Sequence, residues 1–211
     1  MLGKEGALTQ NPKSISLGFA PQEFPPGVHI CQIFNDDVER EETLLSFLLS
    51  GLQSGERATC YSEKTPENVV AGFLGAHGIS CSDARNSGAL TLAGTREAYF
   101  QNDHFDPDRM LRLLRAYYVD SIKEGYPAAR VIGEMTSEIQ RVPGGTRLLE
   151  YESRISLLLQ DHPITAVCQY DARSFEGAMI MDILTVHPMM VVRGSVVHNP
   201  FFIPPREFLS R

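Results

Sequence analysis

The chain has 211 residues, of which 43% are hydrophobic and 21% are charged, and its formal net charge at pH 7 is -7. This length suits one α/β domain with a full core, and the composition excludes disordered and fibrous classes. The acidic charge disfavours nucleic-acid binding, because phosphate neutralisation requires clustered Lys and Arg. We therefore predict a single globular domain that makes no direct contact with nucleic acid.

The sequence carries no recognisable targeting or membrane signal. The N-terminal segment lacks the apolar core of a signal peptide, and no stretch approaches the roughly 18 apolar residues that span a membrane. Four widely spaced cysteines form no C-x-x-C pair: Cys31, Cys60, Cys81 and Cys168. Such cysteines are typical of reduced thiols inside a cell. We expect a cytoplasmic protein without a membrane partner.

Patterns along the chain predict alternating strands and helices. Residues 1–27 are polar and then proline-rich, which predicts a flexible N-terminal arm before a single domain at 28–211. Clusters of β-branched and apolar residues predict strands at 28–34, 58–61, 90–92, 129–135 and 164–170. Helical spacing of apolar residues predicts helices that begin after the segments 35–37, 65–67, 106–108 and 143–146, and a last helix at 175–184. Two β-rich runs around Arg193-Gly194 predict a terminal hairpin.

This alternation predicts a three-layer α/β fold, with a largely parallel sheet covered by helices on both faces. Ligands of such sheets bind beyond the carboxyl ends of the strands. The residues at these ends are the candidate ligand-binding residues: Phe34, Tyr61, Glu134, Met135, Tyr170 and Asp171.

The turn after the first strand occupies the position where a P-loop enzyme places G-x-x-x-x-G-K-[ST] to hold phosphates. Residues 35–43 read NDDVEREET, with no glycine, no lysine and five carboxylates. Acidic side chains at a helix N-terminus repel a triphosphate, and helix capping accounts for them more simply. We expect no catalytic residues, no cofactor and no nucleotide hydrolysis.

Glu134 follows an apolar run in which an unpaired carboxylate would be costly, so its presence requires a partner. The candidate partners are Glu152, Arg154 and His187. The sequence leaves open whether such a pair is structural or orients a ligand.

Metal binding is a weaker alternative for another group of residues. His29 and Cys31 share one face of the first strand, and Cys168 on another strand could approach them. No second pair at short spacing completes a site, and buried cysteine usually behaves as a small hydrophobe. We predict core packing for these residues and no metal.

Six short motifs occur in a recognisable order. They are His29-Ile-Cys31, Gly55-Glu56, Gly133-Glu134-Met135, Tyr151-Glu152, Cys168-Gln-Tyr-Asp171 and His187-Pro188. In order and spacing they resemble the MEDS family (methanogen/methylotroph, DcmR sensory domain), from about residue 28 to 209. The resemblance implies a RecA/KaiC-like fold without a P-loop, and a non-catalytic sensory domain proposed to sense simple hydrocarbon derivatives. Residues within these motifs are expected to support the ligand site: His29, Cys31, Glu152, Cys168 and His187.

Members of that family are often joined to a DNA-binding or histidine-kinase module. We expect the arm to be too short and polar for a helix-turn-helix, and no further module to follow the domain. We therefore expect output through a separate partner, such as a histidine kinase or a transcription regulator, and leave homo-oligomerisation open. The rival hypothesis is a degenerate ATPase-like scaffold for protein interaction. A cavity lined by Glu134 and Tyr170 would favour the hypothesis of a sensor for a small organic ligand. A closed core would favour the scaffold hypothesis.

Overall fold

Strands and helices alternate along residues 14–211, which the computed structural model describes. The strands are β1 Ile15–Ser16, β2 Glu23–Phe24, β3 His29–Phe34, β4 Arg57–Tyr61, β5 Leu90–Ala93, β6 Phe100–Gln101, β7 His104–Phe105, β8 Ala129–Met135, β9 Ile164–Asp171, β10 Met189–Val192 and β11 Ser195–His198. The helices are α1 Asp37–Gln53, α2 Glu67–Ala76, α3 Cys81–Asn86, α4 Thr95–Tyr99, α5 Pro107–Lys123, α6 Leu148–Asp161, α7 Gly177–Val186 and α8 Pro205–Phe208. Two 3-10 turns cover Ser137–Arg141 and Gly145–Arg147. Within the described part of the chain, no helix combines the length and the apolar character needed to span a bilayer.

The main sheet of the described residues has seven strands in the order β11-β10-β3-β9-β8-β4-β5. Neighbouring strands from β10 to β5 run parallel, and β11 pairs with β10 in the antiparallel direction. This arrangement confirms the predicted α/β fold with a largely parallel sheet and a terminal hairpin. Arg193 and Gly194 both have positive φ, as the two-residue hairpin turn requires.

Helices cover both faces of this sheet, so β8 and β9 are buried at every position. One face packs against α1, α2 and α3, and the opposite face packs against α5, α6 and α7. We call these the α1 face and the α6 face. Because successive side chains of a strand point to opposite faces, Ile132 and Val167 lie on the α1 face, whereas Val131 and Cys168 lie on the α6 face.

The helices that follow β3 and β7 begin where the acidic residues predicted. Asp36 accepts a hydrogen bond from the backbone N–H of Val38 at 2.7 Å, and Asp106 accepts one from Asp108 at 2.9 Å. A carboxylate in this position satisfies the free N–H groups of the first helical turn. Asp36 and Asp106 therefore cap α1 and α5.

The predicted flexible arm at 1–27 differs from the structure over residues 14–27. There, β1 pairs with β2, and Leu17 and Phe24 are buried in the core of the α1 face. The carbonyl oxygen of Ser16 also accepts a hydrogen bond from Arg130. Polar and proline-rich composition suggested a free arm, but a few apolar side chains are enough to dock it. The remainder of the predicted arm lies outside the described residues.

Candidate functional site

The six predicted ligand-binding residues lie on opposite faces of the sheet. Those on the α1 face are Phe34, Glu134 and Asp171, and those on the α6 face are Tyr61, Met135 and Tyr170. The carboxyl ends of the strands share one edge of the sheet, as predicted. However, successive side chains of a strand point to opposite faces, so residues at the same edge can lie on different faces. The sheet separates Glu134 from Tyr170, so these two residues line no common cavity, and this criterion does not favour the sensor over the scaffold.

Three of these residues meet around Lys64, at the carboxyl edge of the sheet. The Lys64 ammonium is 2.6 Å from Asp171 Oδ2 and 3.2 Å from Glu134 Oε1. It also lies 5.1 Å from the centre of the Phe34 ring. Ser62 donates a hydrogen bond to Glu134 Oε2 at 3.0 Å. Sequence reasoning missed Lys64 because it lies in the loop after β4, outside any strand or helix pattern.

Glu134 is buried, as expected, but the predicted partners are wrong. Glu152 and His187 lie on the α6 face, and Arg154 contacts other carboxylates at the helix surface. Glu134 points to the α1 face, so the sheet separates it from Glu152 and His187 on the α6 face. Lys64 instead supplies the counter-charge, from a side chain that is 38% exposed.

Arg173 provides further positive charge at this edge. Its Nε is 2.8 Å from Asp171 Oδ1, and its Nη2 is 2.8 Å from Asp37 Oδ1. Hydrogen bonds from Arg173 and then Lys64 hold the pKa of Asp171 well below its usual range, although burial acts in the opposite direction. Asp171 is therefore ionised at neutral pH, and the edge forms a network of ion pairs.

The position of a P-loop is occupied by side chains of the protein itself. Asp36 fills the N-terminus of α1, where a P-loop protein would hold a phosphate. A surface depression of about 560 Å³ lies beside it. Its lining contains more acidic than basic side chains: Asp37, Val38, Arg40, Glu41, Glu42, Leu45 and Lys64. This electrostatic environment disfavours a triphosphate.

Four buried polar side chains converge on the α6 face. His29, Glu152, Cys168 and His187 place one ligand atom each within 4.8 Å of all the others. Glu152 Oε2 is 3.4 Å from His29 Nε2 and 3.5 Å from His187 Nε2. The Cys168 sulfur is 3.5 Å from His29 Nε2 and 3.7 Å from Glu152 Oε2. We call this set the His-Glu-Cys cluster, and it contains four of the five residues expected to support the site.

The fifth residue, Cys31, lies beside this cluster without contributing a ligand atom. It pairs in register with Cys168 on the neighbouring strand and is buried in the core of the α6 face. Burial, with a smaller contribution from Glu152, raises the pKa of Cys31 to about 12. Its thiol is therefore neutral, which agrees with the predicted core packing.

Burial and the contacts between Glu152 and the histidines act in opposite directions on the protonation of the cluster. Burial, together with the neighbouring His187, lowers the pKa of His29 to about 4 despite the proximity of Glu152. Burial acts to raise the pKa of Glu152, but the two histidines outweigh it and lower that pKa. An ionised carboxylate in a dry interior requires a nearby positive charge. A proton or a metal ion could carry this charge within the cluster.

A small enclosed cavity adjoins the cluster at Cys168. Its volume is about 20 Å³, and apolar groups from six elements form its walls: Tyr61, Tyr99, Leu114, Val131, Gly133, Tyr151, Ile155, Leu159, Ile164, Ala166, Val167 and Cys168. Such a space holds about one water-sized molecule. Gly133 is required here, since a Cβ at this position would lie 2.5 Å from the Tyr99 hydroxyl.

The largely parallel sheet with helices on both faces defines a three-layer α/β protein. The structure is similar to that of flagellar accessory protein FlaH from Methanocaldococcus jannaschii, with a TM-score of 0.62 and 14% identity over 87% of this chain and 83% of that chain. It is also similar to that of KaiC-like protein PH0186 from Pyrococcus horikoshii OT3, with a TM-score of 0.58 and 12% identity over 85% of this chain and 80% of that chain. At such low identity these likenesses establish the fold alone.

Residues 28–188 match the family described as MEDS: MEthanogen/methylotroph, DcmR Sensory domain. The chain belongs to this family. No curated protein matches the sequence. The predicted family and the RecA/KaiC-like fold are confirmed, and the family indicates a sensory role.

Proposed function

We propose that this chain is a non-catalytic sensory domain that binds a simple hydrocarbon derivative in the enclosed cavity beside Cys168. The observation that carries this proposal is the cavity itself, which is about 20 Å³ in volume and has apolar walls. A space of this size accepts a molecule of one or two heavy atoms with small movements of its walls. The walls offer apolar and aromatic surface, which suits an organic compound better than an ion.

The predicted ligand-binding residues then have two roles. Tyr61 forms part of the cavity wall, and Met135 and Tyr170 belong to the same core. Tyr61 ends β4, and the loop that carries Lys64 follows directly. A ligand that displaces Tyr61 would therefore shift the ion pairs between Lys64 and the carboxylates of Glu134 and Asp171. Phe34, beneath Lys64, would move with this edge.

We further propose that the signal passes to a separate signalling partner in the cytoplasm. The sensory family supports a signalling role in general. Reduced thiols support an intracellular location, because all four cysteines are buried and free. The rival proposal is an interaction scaffold, which requires no ligand. Thermal stability in the presence of ligand separates the two.

The test is a thermal unfolding series with methanol and chloromethane at concentrations up to about 50 mM, because a ligand of two heavy atoms gains at most about 3 kcal/mol on binding, which corresponds to a Kd of several millimolar. A ligand that binds only the folded state at about 10 times its Kd stabilises the protein by about 1.4 kcal/mol. For a chain of this size, that corresponds to a rise in Tm of about 3–6 °C. If none of the compounds raises the Tm of the parent protein, the scaffold is favoured.

A matched pair of variants locates the ligand. Val131→Ile adds a methyl group to the cavity wall, and Val70→Ile makes the same change in the core of the α1 face. We expect Val131→Ile to abolish the rise in Tm and Val70→Ile to preserve it. An equal response from both variants would place the ligand outside this cavity.

A further inference from the structure

We propose that the His-Glu-Cys cluster is a metal site, in which His29, Glu152, Cys168 and His187 bind one divalent transition-metal ion. Two imidazoles, a thiolate and a carboxylate are ligands that Zn²⁺ accepts, and the mixture of nitrogen, sulfur and oxygen excludes Mg²⁺ and Ca²⁺. The site would exist whether or not the neighbouring cavity binds an organic ligand.

The distances between the ligand atoms fit a tetrahedral ion. Zinc bonds of about 2.0–2.3 Å in tetrahedral geometry separate neighbouring ligand atoms by about 3.3–3.8 Å. In the cluster, the separations are 3.4 Å for His29–Glu152, 3.5 Å for His187–Glu152, 3.5 Å for His29–Cys168 and 3.7 Å for Cys168–Glu152. Four of the six edges therefore have tetrahedral length before any ion is added.

The atoms around the cluster orient its side chains toward a common centre. His29 Nδ1 is 2.9 Å from the Ser156 hydroxyl, and His187 Nδ1 is 2.8 Å from the carbonyl oxygen of Ile183. Outer contacts of this kind hold metal-binding histidines with the other ring nitrogen free to coordinate. They leave the Nε2 atoms of both rings directed into the cluster.

Glu152 is held in the same manner. Tyr170 donates a hydrogen bond of 2.7 Å to Glu152 Oε1, while Oε2 faces the two histidines and the cysteine. One carboxylate oxygen is thus anchored by an outer partner, and the other remains available as a ligand. Carboxylates that bind metals usually have such a partner.

One atom of the cluster has no partner of its own. Among the described residues, nothing forms a hydrogen bond with His187 Nε2, although the residue is fully buried. Because a carbonyl oxygen can only accept, the Nδ1 that contacts Ile183 carries a proton. Nε2 faces the carboxylate of Glu152 at 3.5 Å without a hydrogen bond, and a cation between these two atoms would bind both. A buried polar atom without a partner requires such an explanation.

The ligands come from four separate parts of the fold: β3, α6, β9 and the residue after α7. Four protein ligands fill a tetrahedral shell and leave no open position, which is typical of structural sites. The ion would fix α6 and α7 to the central strands. Sequence reasoning considered a metal only at His29, Cys31 and Cys168 and rejected it because no second pair at short spacing completes the site. Glu152 and His187 are too distant in the chain to suggest themselves as ligands.

Titration with Co²⁺ tests the site in the untagged full-length chain, after treatment with a chelator and without any organic compound. Co²⁺ replaces Zn²⁺ in tetrahedral sites, and a thiolate ligand gives a near-ultraviolet charge-transfer band. We expect one equivalent of Co²⁺ to produce this band and one equivalent of Zn²⁺ to remove it. Failure of the folded parent protein to bind either ion would overturn the proposal, and would leave the cluster as a network that shares a proton.

Variants assign the ligands. Cys168→Ala should lose the charge-transfer band, whereas Cys60→Ala, which removes a buried thiol on the α1 face, should keep it. A band that persists in Cys168→Ala would contradict the assignment. If Cys168→Ala does not fold, Ser156→Ala decides the matter, because it changes only the outer partner of His29. We expect Ser156→Ala to bind Zn²⁺ about 10–100-fold more weakly, and unchanged affinity would count against the site.

Discussion

Arg130 illustrates how a single buried charge depends on its surroundings. Its guanidinium lies 2.8 Å (Nε) and 2.7 Å (Nη2) from Glu56 Oε2, and its Nη1 donates to the carbonyl oxygen of Phe47 at 2.8 Å. Burial lowers the pKa of Arg130, and Glu56 opposes this effect. Gly51 makes room for the side chain, since a Cβ there would lie 2.4 Å from Arg130 Nε.

We predict that Glu56→Ala lowers the free energy of unfolding by about 3–5 kcal/mol, because it leaves the buried Arg130 without its counter-charge. Glu124→Ala is the matched control, since Glu124 pairs with Arg57 at the surface. The control should cost about 0–1 kcal/mol. Denaturant unfolding measures both values. Equal midpoints for the two variants would show that Arg130 finds another partner or water.

At the same scale, Glu134 shows the limit of reading one residue at a time. The apolar run before it correctly indicated that the carboxylate is buried and paired. The identity of the partner depends on which face the side chain takes and on the path of the loop after β4. Lys64 reaches Glu134 from that loop, and no spacing rule connects the two residues.

The N-terminal hairpin is an element whose stability comes from docking. β1 and β2 have two residues each, too few to persist alone. Leu17 is 0% exposed in the core of the α1 face. Gly18 has φ +81°, and a Cβ at this position would lie 2.1 Å from the carbonyl oxygen of Ser46. The hairpin therefore lies so close to α1 that a residue with a Cβ at position 18 would clash with the helix backbone.

We predict that Leu17→Ala lowers the free energy of unfolding by about 2–5 kcal/mol, the usual cost of a large cavity in a core. Leu209→Ala serves as the control, because Leu209 is exposed and its truncation should change stability little. The measurement is denaturant unfolding followed by circular dichroism. A small effect of Leu17→Ala would indicate that residues 14–27 behave as the free arm that their composition suggests.

The whole molecule combines a KaiC-like sheet with an acidic turn where phosphates would bind. The fold is shared with flagellar accessory protein FlaH and with a KaiC-like protein, but fold does not determine function. The N-terminus of α1 is capped by Asp36 and surrounded by further acidic side chains. These features oppose the approach of a triphosphate.

We predict that the purified chain hydrolyses neither ATP nor GTP above background and that neither nucleotide with Mg²⁺ raises its Tm. Phosphate release and thermal unfolding measure the two effects. Glu134→Gln provides the control, since Glu134 is the buried carboxylate at the carboxyl edge of the sheet. Hydrolysis by the parent chain that this substitution abolishes would contradict the prediction.

The sequence by itself determined the strands of the main sheet and the longer helices, and their alternation. The strand Ala129–Met135 follows from a local pattern, because burial on two faces restricts it to mostly apolar residues. The terminal hairpin follows from another, because its tight turn restricts which residue types can occur there. Six motifs were sufficient to indicate the family. These properties depend on residues that are close in the chain.

Only the tertiary structure decided which residues meet. β3 and β9 are neighbours in the sheet although more than 100 residues separate them in the chain. Their pairing brings His29 to Cys168, while α6 and the end of α7 add Glu152 and His187. The same sheet separates Tyr170 from Glu134, because alternate side chains of adjacent strands take opposite faces. Contacts of this kind depend on strand order and on the face that each side chain takes, and neither is encoded in local spacing.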